Sequence, residues 1–234
     1  MILLEQKGGL LHEHDDGKFR TKVYGFVPGT KLNLLPNATH FGVVASGSVT
    51  VYHGFPSRTR PLSAEDFFSV PNEATVYSST GAGIVISAMG YNGLPFFGGP
   101  IEEVGRLRYI DGCTDTLLVP PVLLGDPCLN LLHFPPGIKQ SSHDHPSVRA
   151  GVVLRGGGVC VVPGKNPIPL TTGSIFLIPT GQEHKFDTEE TAMDVIAFHP
   201  DTDFGPTHDD HPMVNRTIVD GIPANLINEI RTRE

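Results

Sequence analysis

"PPGIKQSSHDHPSVRAGVVLRGGG", residues 135–158, decides how the rest of the chain is read. His143 and His145 stand one residue apart, behind a Pro-Pro-Gly turn signal and ahead of the apolar run Val152, Val153, Leu154. Residues i and i+2 of an extended chain point to one face, so both imidazoles can aim at a single point. A third histidine, His184, lies in "PTGQEHKF" just after the strand-like "SIFLIP" (174–179), where a proline-glycine turn returns the chain toward its start. Three neutral imidazoles suit Fe(II), Ni, Cu or Zn and leave coordination positions open for water, substrate or dioxygen. An open position belongs to catalysis rather than scaffolding.

Outward from this stretch, short β-branched or aromatic runs recur between turn residues, among them "KVYGFVP" (22–28), "FGVVASGSVTVYHG" (41–54), "GIVISAMG" (83–90) and "AMDVIAFHP" (192–200). The 27 glycines and 21 prolines fall between these runs and form no low-complexity tract, which predicts an all-β fold of many short strands. One short helix is expected near the end, where Pro223 suits a first helical position and Ile222, Leu226, Ile227 and Ile230 recur at helical spacing.

The chain also repeats itself. "HFGVVASGSVTVYHGFPSRTRPLSAEDFFSVP" and "RAGVVLRGGGVCVVPGKNPIPLTTGSIFLIP" share one order of strand, glycine turn, strand, loop, strand and proline, with Gly42 matching Gly151 and Pro71 matching Pro179. Two antiparallel barrels are predicted, one over 1–100 and one over 101–234, with 91–112 as the connector. On this alignment His143 falls on Leu34, His145 on Pro36 and His184 on Val76, so the first half lacks all three histidines and reads as a structural partner.

Only 18% of the 234 residues are charged, the net charge is −8, and no Lys/Arg cluster exists, so neither nucleic acid nor an anionic membrane surface is expected as a partner. No apolar run approaches the roughly 18 residues a membrane span needs, and the N-terminus has no cleavage-like site. A cytoplasmic protein, forming a homodimer, is expected. Cys113, Cys128 and Cys160 are too few and scattered for a disulfide framework and read as buried small hydrophobes.

The spacings resemble those of the cupin superfamily. Its first motif, glycine, five residues, His-x-His, three or four residues, glutamate, six residues, glycine, is met by Gly137, His143, His145, Arg149 and Gly156. Its second, glycine, five residues, Pro-x-Gly, two residues, His, three residues, Asn, is met by Gly173, Pro179, Gly181, His184 and Thr188. The resemblance covers about 130–200, and the repeat extends it to a bicupin of two cupin-type antiparallel β-barrels, the first degenerate. It implies one divalent metal on His143, His145 and His184, Fe(II) being favoured over Ni, Mn, Cu or Zn. Two positions depart from the pattern, Thr188 for Asn and Arg149 for Glu. A guanidinium cannot coordinate a cation, so the family's usual fourth ligand is missing.

Arg149 is therefore the candidate catalytic residue, a fork for the carboxylate or enolate of a small anionic substrate. The favoured activity is a three-His dioxygenase; a metal-dependent isomerase, lyase or decarboxylase, and a non-turnover ligand-binding or sensory cupin, are the alternatives. Gln140 and His133 are weaker candidates for substrate contact, and His199 weaker still. Val152, Leu154, Phe176 and Ile178 are candidate wall or core residues. The His208 and His211 tail is expected to be an ordered exposed loop, and the His-x-His at His12 and His14 carries no site.

Overall fold

The structure is a computed structural model and describes residues 1–232. In the first half a six-stranded sheet runs Phe96–Gly98, Phe67–Pro71, Ala38–Ser46, Ala82–Met89, Arg20–Phe26, Gly9–Asp15. Facing it is a four-stranded sheet, Lys31–Leu34, Ala74–Ser78, Ser48–His53, Arg58–Ser63. The second half is organised around Arg149–Val161, which pairs at its start with Ile175–Ile178 and Met193–His199, and further on with Ile168–Thr171 and Lys185–Asp187. Cys128–Phe134 and Thr114–Val119 extend the sheet beyond Met193–His199. Every pairing is antiparallel, as the all-β reading expects.

The repeat has a physical core at two glycine positions. Gly42 lies opposite Phe68, and Gly151 opposite Phe176, on equivalent strand pairs. In each case the ring folds over the glycine: a Cβ at Gly42 would stand 2.2 Å from the Phe68 ring, and one at Gly151 would stand 3.0 Å from the Phe176 ring. Gly47 and Gly156, also 109 residues apart, both take positive φ, 66° and 70°, where their strands bend away from the paired sheet.

Three apolar clusters result. One fills the first barrel around Phe26, Phe68, Val70 and Val76, and one the second around Phe134, Phe176, Phe186 and Val195. The third joins the halves: Phe41, Val43 and Ile86 pack against Leu131, Val152, Leu154 and Phe198, with the Phe41 and Phe198 rings 5.1 Å apart. Each such fully buried side chain contributes about 1.5–3 kcal/mol, so the halves share a core rather than touching loosely. Burial on both faces also explains why these strands read as continuous apolar runs. Arg155 crosses the same seam, bonding Asp194 (2.6 Å), Glu65 (3.2 Å) and the Glu102 carbonyl (2.6 Å).

The connector contributes to both sides. Phe96–Gly98 edges the first half's sheet, Ile101 is buried at the seam, and Leu107–Arg108 edges the second half's sheet. Ile2–Leu4 pairs with Ile175–Ile178, so the chain's first residues cover the edge of a sheet otherwise built from residues beyond 101.

The helix expected over 222–231 does not form. Ile222–Pro223 pairs with Ile218–Val219, and two single 3₁₀ turns follow, Ala224–Leu226 and Asn228–Ile230. Leu226 and Ile230 are exposed, so the apolar stripe finds nothing to pack on and cannot offset the cost of helix nucleation. The short α-helix lies earlier, at Pro212–Arg216, with His211 capping the Met213 and Val214 amides through Nδ1. His211 therefore serves the backbone of the tail. No helix among the described residues is long and apolar enough to cross a membrane. The three cysteines are free and buried, with burial pushing the thiols up to about 11 or 12.

Candidate metal centre

Residues 140–148 run irregularly along the mouth of the second barrel. His143 forms an isolated antiparallel bridge with His184: the His143 amide donates to the His184 carbonyl (2.9 Å), and the His184 amide donates to the His143 carbonyl (2.8 Å). The Gly181 amide donates to the His145 carbonyl (2.9 Å), tying the Pro-Thr-Gly turn to the second histidine. The fold thus brings His143, His145 and His184 together, with ring centroids 4.8–5.2 Å apart and their ligand atoms all within 4.8 Å of one another.

The backbone also sets their tautomers. His143 Nδ1 lies 2.8 Å from the Ser141 carbonyl and His184 Nδ1 lies 2.9 Å from the Gln182 carbonyl. A carbonyl only accepts, so each Nδ1 carries a proton, and in the neutral ring the lone pair then sits on Nε2. His184 Nε2 is buried without a partner, a condition costing about 1–3 kcal/mol unless something binds it. Burial, then the charge of Arg149, pushes His145 down to about 3, and burial pushes His184 down to about 4, so both are neutral at pH 7. A divalent metal requires converging imidazole nitrogens, and the three residues, with His145 and His184 neutral and His184 Nε2 unpartnered, fit one.

Arg149 begins its strand opposite Ile178 and lines the same cavity of about 300 Å³ as the three histidines. Among the described residues every hydrogen bond from its guanidinium leaves through Nη1, to the Ser147 hydroxyl and the Ser147 and Val148 carbonyls (3.2 and 3.1 Å), with Asp201 at 3.7 Å. Nε is buried without a partner. The edge formed by Nε and Nη2 is thus left without a protein acceptor. Gln140 is also in the cavity wall; its Oε1 accepts from the Phe186 amide (3.1 Å), which leaves the amide nitrogen as its spare donor.

His133 lies elsewhere. Strand alternation sends Asn130, Leu132 and Phe134 into the cavity wall and His133 to the other face, where Nδ1 meets Asp194 at 2.6 Å. His133 is therefore not in the cavity wall with the other candidates. Phe176 and Ile178 line the cavity, whereas Val152 and Leu154 face the seam between the halves. Thr188 latches the two motif loops, donating to the Pro135 carbonyl and accepting from the Ile138 amide.

Sequence reasoning missed Tyr109, Asp115 and Asn130, which line the cavity, and underrated His199. Burial, then Arg149, holds His199 well below its ordinary value. The one available signal was a polar Asn in the apolar strand "CLNLLHF", at the same parity as Phe134.

Residues 130–199 match the family described as Cupin domain. That stretch is a cupin domain. Cupins of known structure share its fold: a Cupin 2 conserved barrel domain protein from Leptotrichia buccalis (13% identity, 83% of this chain and 90% of that one, TM-score 0.59) and a salicylate 1,2-dioxygenase from Pseudaminobacter salicylatoxidans (12%, 84% and 76%, 0.59). An oxalate decarboxylase from Bacillus subtilis with Mn(II) centres is a further one (10%, 87% and 76%, 0.53). No curated protein matches this cupin by sequence.

Proposed function

We propose that this cupin is a three-His, Fe(II)-type dioxygenase acting on a small anionic substrate. The observation that carries the reading is the pairing, in one cavity, of three converging imidazoles with an Arg149 whose Nε has no partner. His143, His145 and His184 would hold the metal, His143 and His184 through the Nε2 atoms that their backbone-bonded Nδ1 leaves free. Fe(II) bound there supplies Lewis acidity and one-electron chemistry with dioxygen.

The chain's own groups do the rest. Arg149 offers the Nε and Nη2 edge to a carboxylate or enolate, a two-point contact that fixes orientation, while Ser147 and Asp201 keep the guanidinium from swinging away. Phe176, Ile178, Phe186 and Val195 exclude water around the substrate's apolar body, which strengthens the contact to Arg149. Gln140 donates its amide NH2 to the bound anion.

Elemental analysis of untagged protein beside a His143→Ala, His145→Ala double variant tests the first step; we expect iron in the wild type and background levels in the variant. Oxygen uptake against β-diketones, hydroxylated aromatic acids and thiol acids tests the second. A metal-free wild type sinks the reading, and an iron-loaded protein that consumes no oxygen with any of them redirects it to lyase or isomerase chemistry.

A further inference from the structure

One wall of the cavity carries a polar pair that the proposed chemistry leaves idle. Asn130, on Cys128–Phe134, is 7% exposed; its Nδ2 donates to Asp115 Oδ2 at 2.8 Å. An ionised carboxylate can only accept, so this contact orients the amide and leaves Oδ1 as the end without a partner. Asn130 Oδ1 is indeed buried and unpaired. A buried acceptor in that state costs about 1–3 kcal/mol unless a donor reaches it, so the site as folded is incomplete.

The pair is set apart from Arg149. Gly151 and Asn130 both lie opposite Ala197, on either side of Met193–His199, and Arg149 is two residues back along its strand. Strand spacing then puts the Arg149 and Asn130 backbones about 12 Å apart, with the cavity between their side chains. Tyr109, Asp115, Asn130 and Arg149 all line this one cavity. The cavity therefore offers a cation at one end and an unsatisfied acceptor, Asn130 Oδ1 beside Asp115, at the other.

We infer that Asn130 and Asp115 recognise a hydrogen-bond donor, a hydroxyl or amino group, at the end of the substrate remote from the anionic group held by Arg149. The substrate class narrows from small anions to acids bearing such a remote donor. The inference rests on the proposed binding of an anion at Arg149, and a simple carboxylate with an apolar far end leaves Asn130 Oδ1 unpaired.

Titration calorimetry on the full chain as purified tests it with matched acids: 4-hydroxybenzoate, 4-aminobenzoate, 4-methoxybenzoate and benzoate, then 6-hydroxyhexanoate against hexanoate. In at least one frame the donor-bearing acid should bind about tenfold or more tightly than its donor-free counterpart, equivalent to one well-placed hydrogen bond. Asn130→Leu should bring that ratio to within about twofold, and Arg149→Gln should weaken every acid. If Asn130→Leu does not fold, Asp115→Ala, which removes the anchor of the amide, should shrink the same ratio. Equal affinity for donor-bearing and donor-free acids in the wild type, or a ratio that survives both variants, overturns this inference alone. Failure of every acid to bind overturns the anionic-substrate reading as well. The hydroxy and amino arms decide which donor the pair prefers.

Discussion

In the first barrel Val76, the position the repeat aligns with His184, lies opposite Leu32, both buried in an apolar cluster; in the second His184 lies opposite His143. A second contrast sits one strand away. His40 precedes Gly42 by two residues and pairs with Val70, just as Arg149 precedes Gly151 and pairs with Ile178. His40 is fully satisfied: Nδ1 meets Ser87 Oγ (2.6 Å), and Nε2 meets the Leu35 and Asn72 carbonyls (3.0 and 2.9 Å). Arg149 and His184 each keep an unpartnered buried nitrogen, and Asn130 an unpartnered buried oxygen. At these matched positions the first barrel has packed side chains and a satisfied histidine, whereas the second leaves polar atoms unsatisfied around a cavity. Stability alone gives no reason for that arrangement, and a ligand does.

The sharpest way to break the contrast is at Arg149. Arg149→Glu restores a fourth potential ligand and removes the anion contact, so metal should bind about tenfold more tightly and turnover should fall by about a hundredfold or more. Metal titration and steady-state kinetics check the two halves, and unchanged metal affinity would mean that position 149 does not reach the histidines. Next comes Phe68→Ala against Phe176→Ala. Phe68 is enclosed, and its truncation should cost about 3–5 kcal/mol; Phe176 already borders the cavity, so its loss should cost less and enlarge the site. Denaturant unfolding of the two variants measures the difference, and equal losses would argue against an open second barrel.

The smallest effect concerns acid. Burial holds His40 below its ordinary value, outweighing its carbonyl partners, so the folded state prefers it neutral. Below about pH 6.5 the unfolded chain takes up that proton more readily, and the stability tied to neutral His40 is lost as pH falls. The melting temperature of the wild type should therefore drop more steeply between pH 6.5 and 5 than that of His40→Asn. Parallel curves would count against a neutral His40.

Much of this was legible in sequence because it is encoded in spacing. The His-x-His pair, the later His184 and the matched Gly42 and Gly151 are fixed-interval features, and each marks a local geometry that survives into the fold. Val152 and Leu154 were harder, since a strand buried on both faces shows no alternation to tell cavity wall from seam. Asn130, Asp115 and Tyr109 come from three separate segments that meet only through sheet pairing, and no interval in the chain announces them. The terminal stripe of Ile222, Leu226 and Ile230 has helical period but no surface to bury against, which a period cannot reveal.

Leu107, Arg108 and Tyr109 wall the cavity from the connector, a stretch with no counterpart in either copy of the repeat. The repeated elements thus supply the scaffold, while a segment outside the repeat shapes what enters. Exchanging that segment between related chains is a route to new selectivity that leaves the three histidine positions untouched.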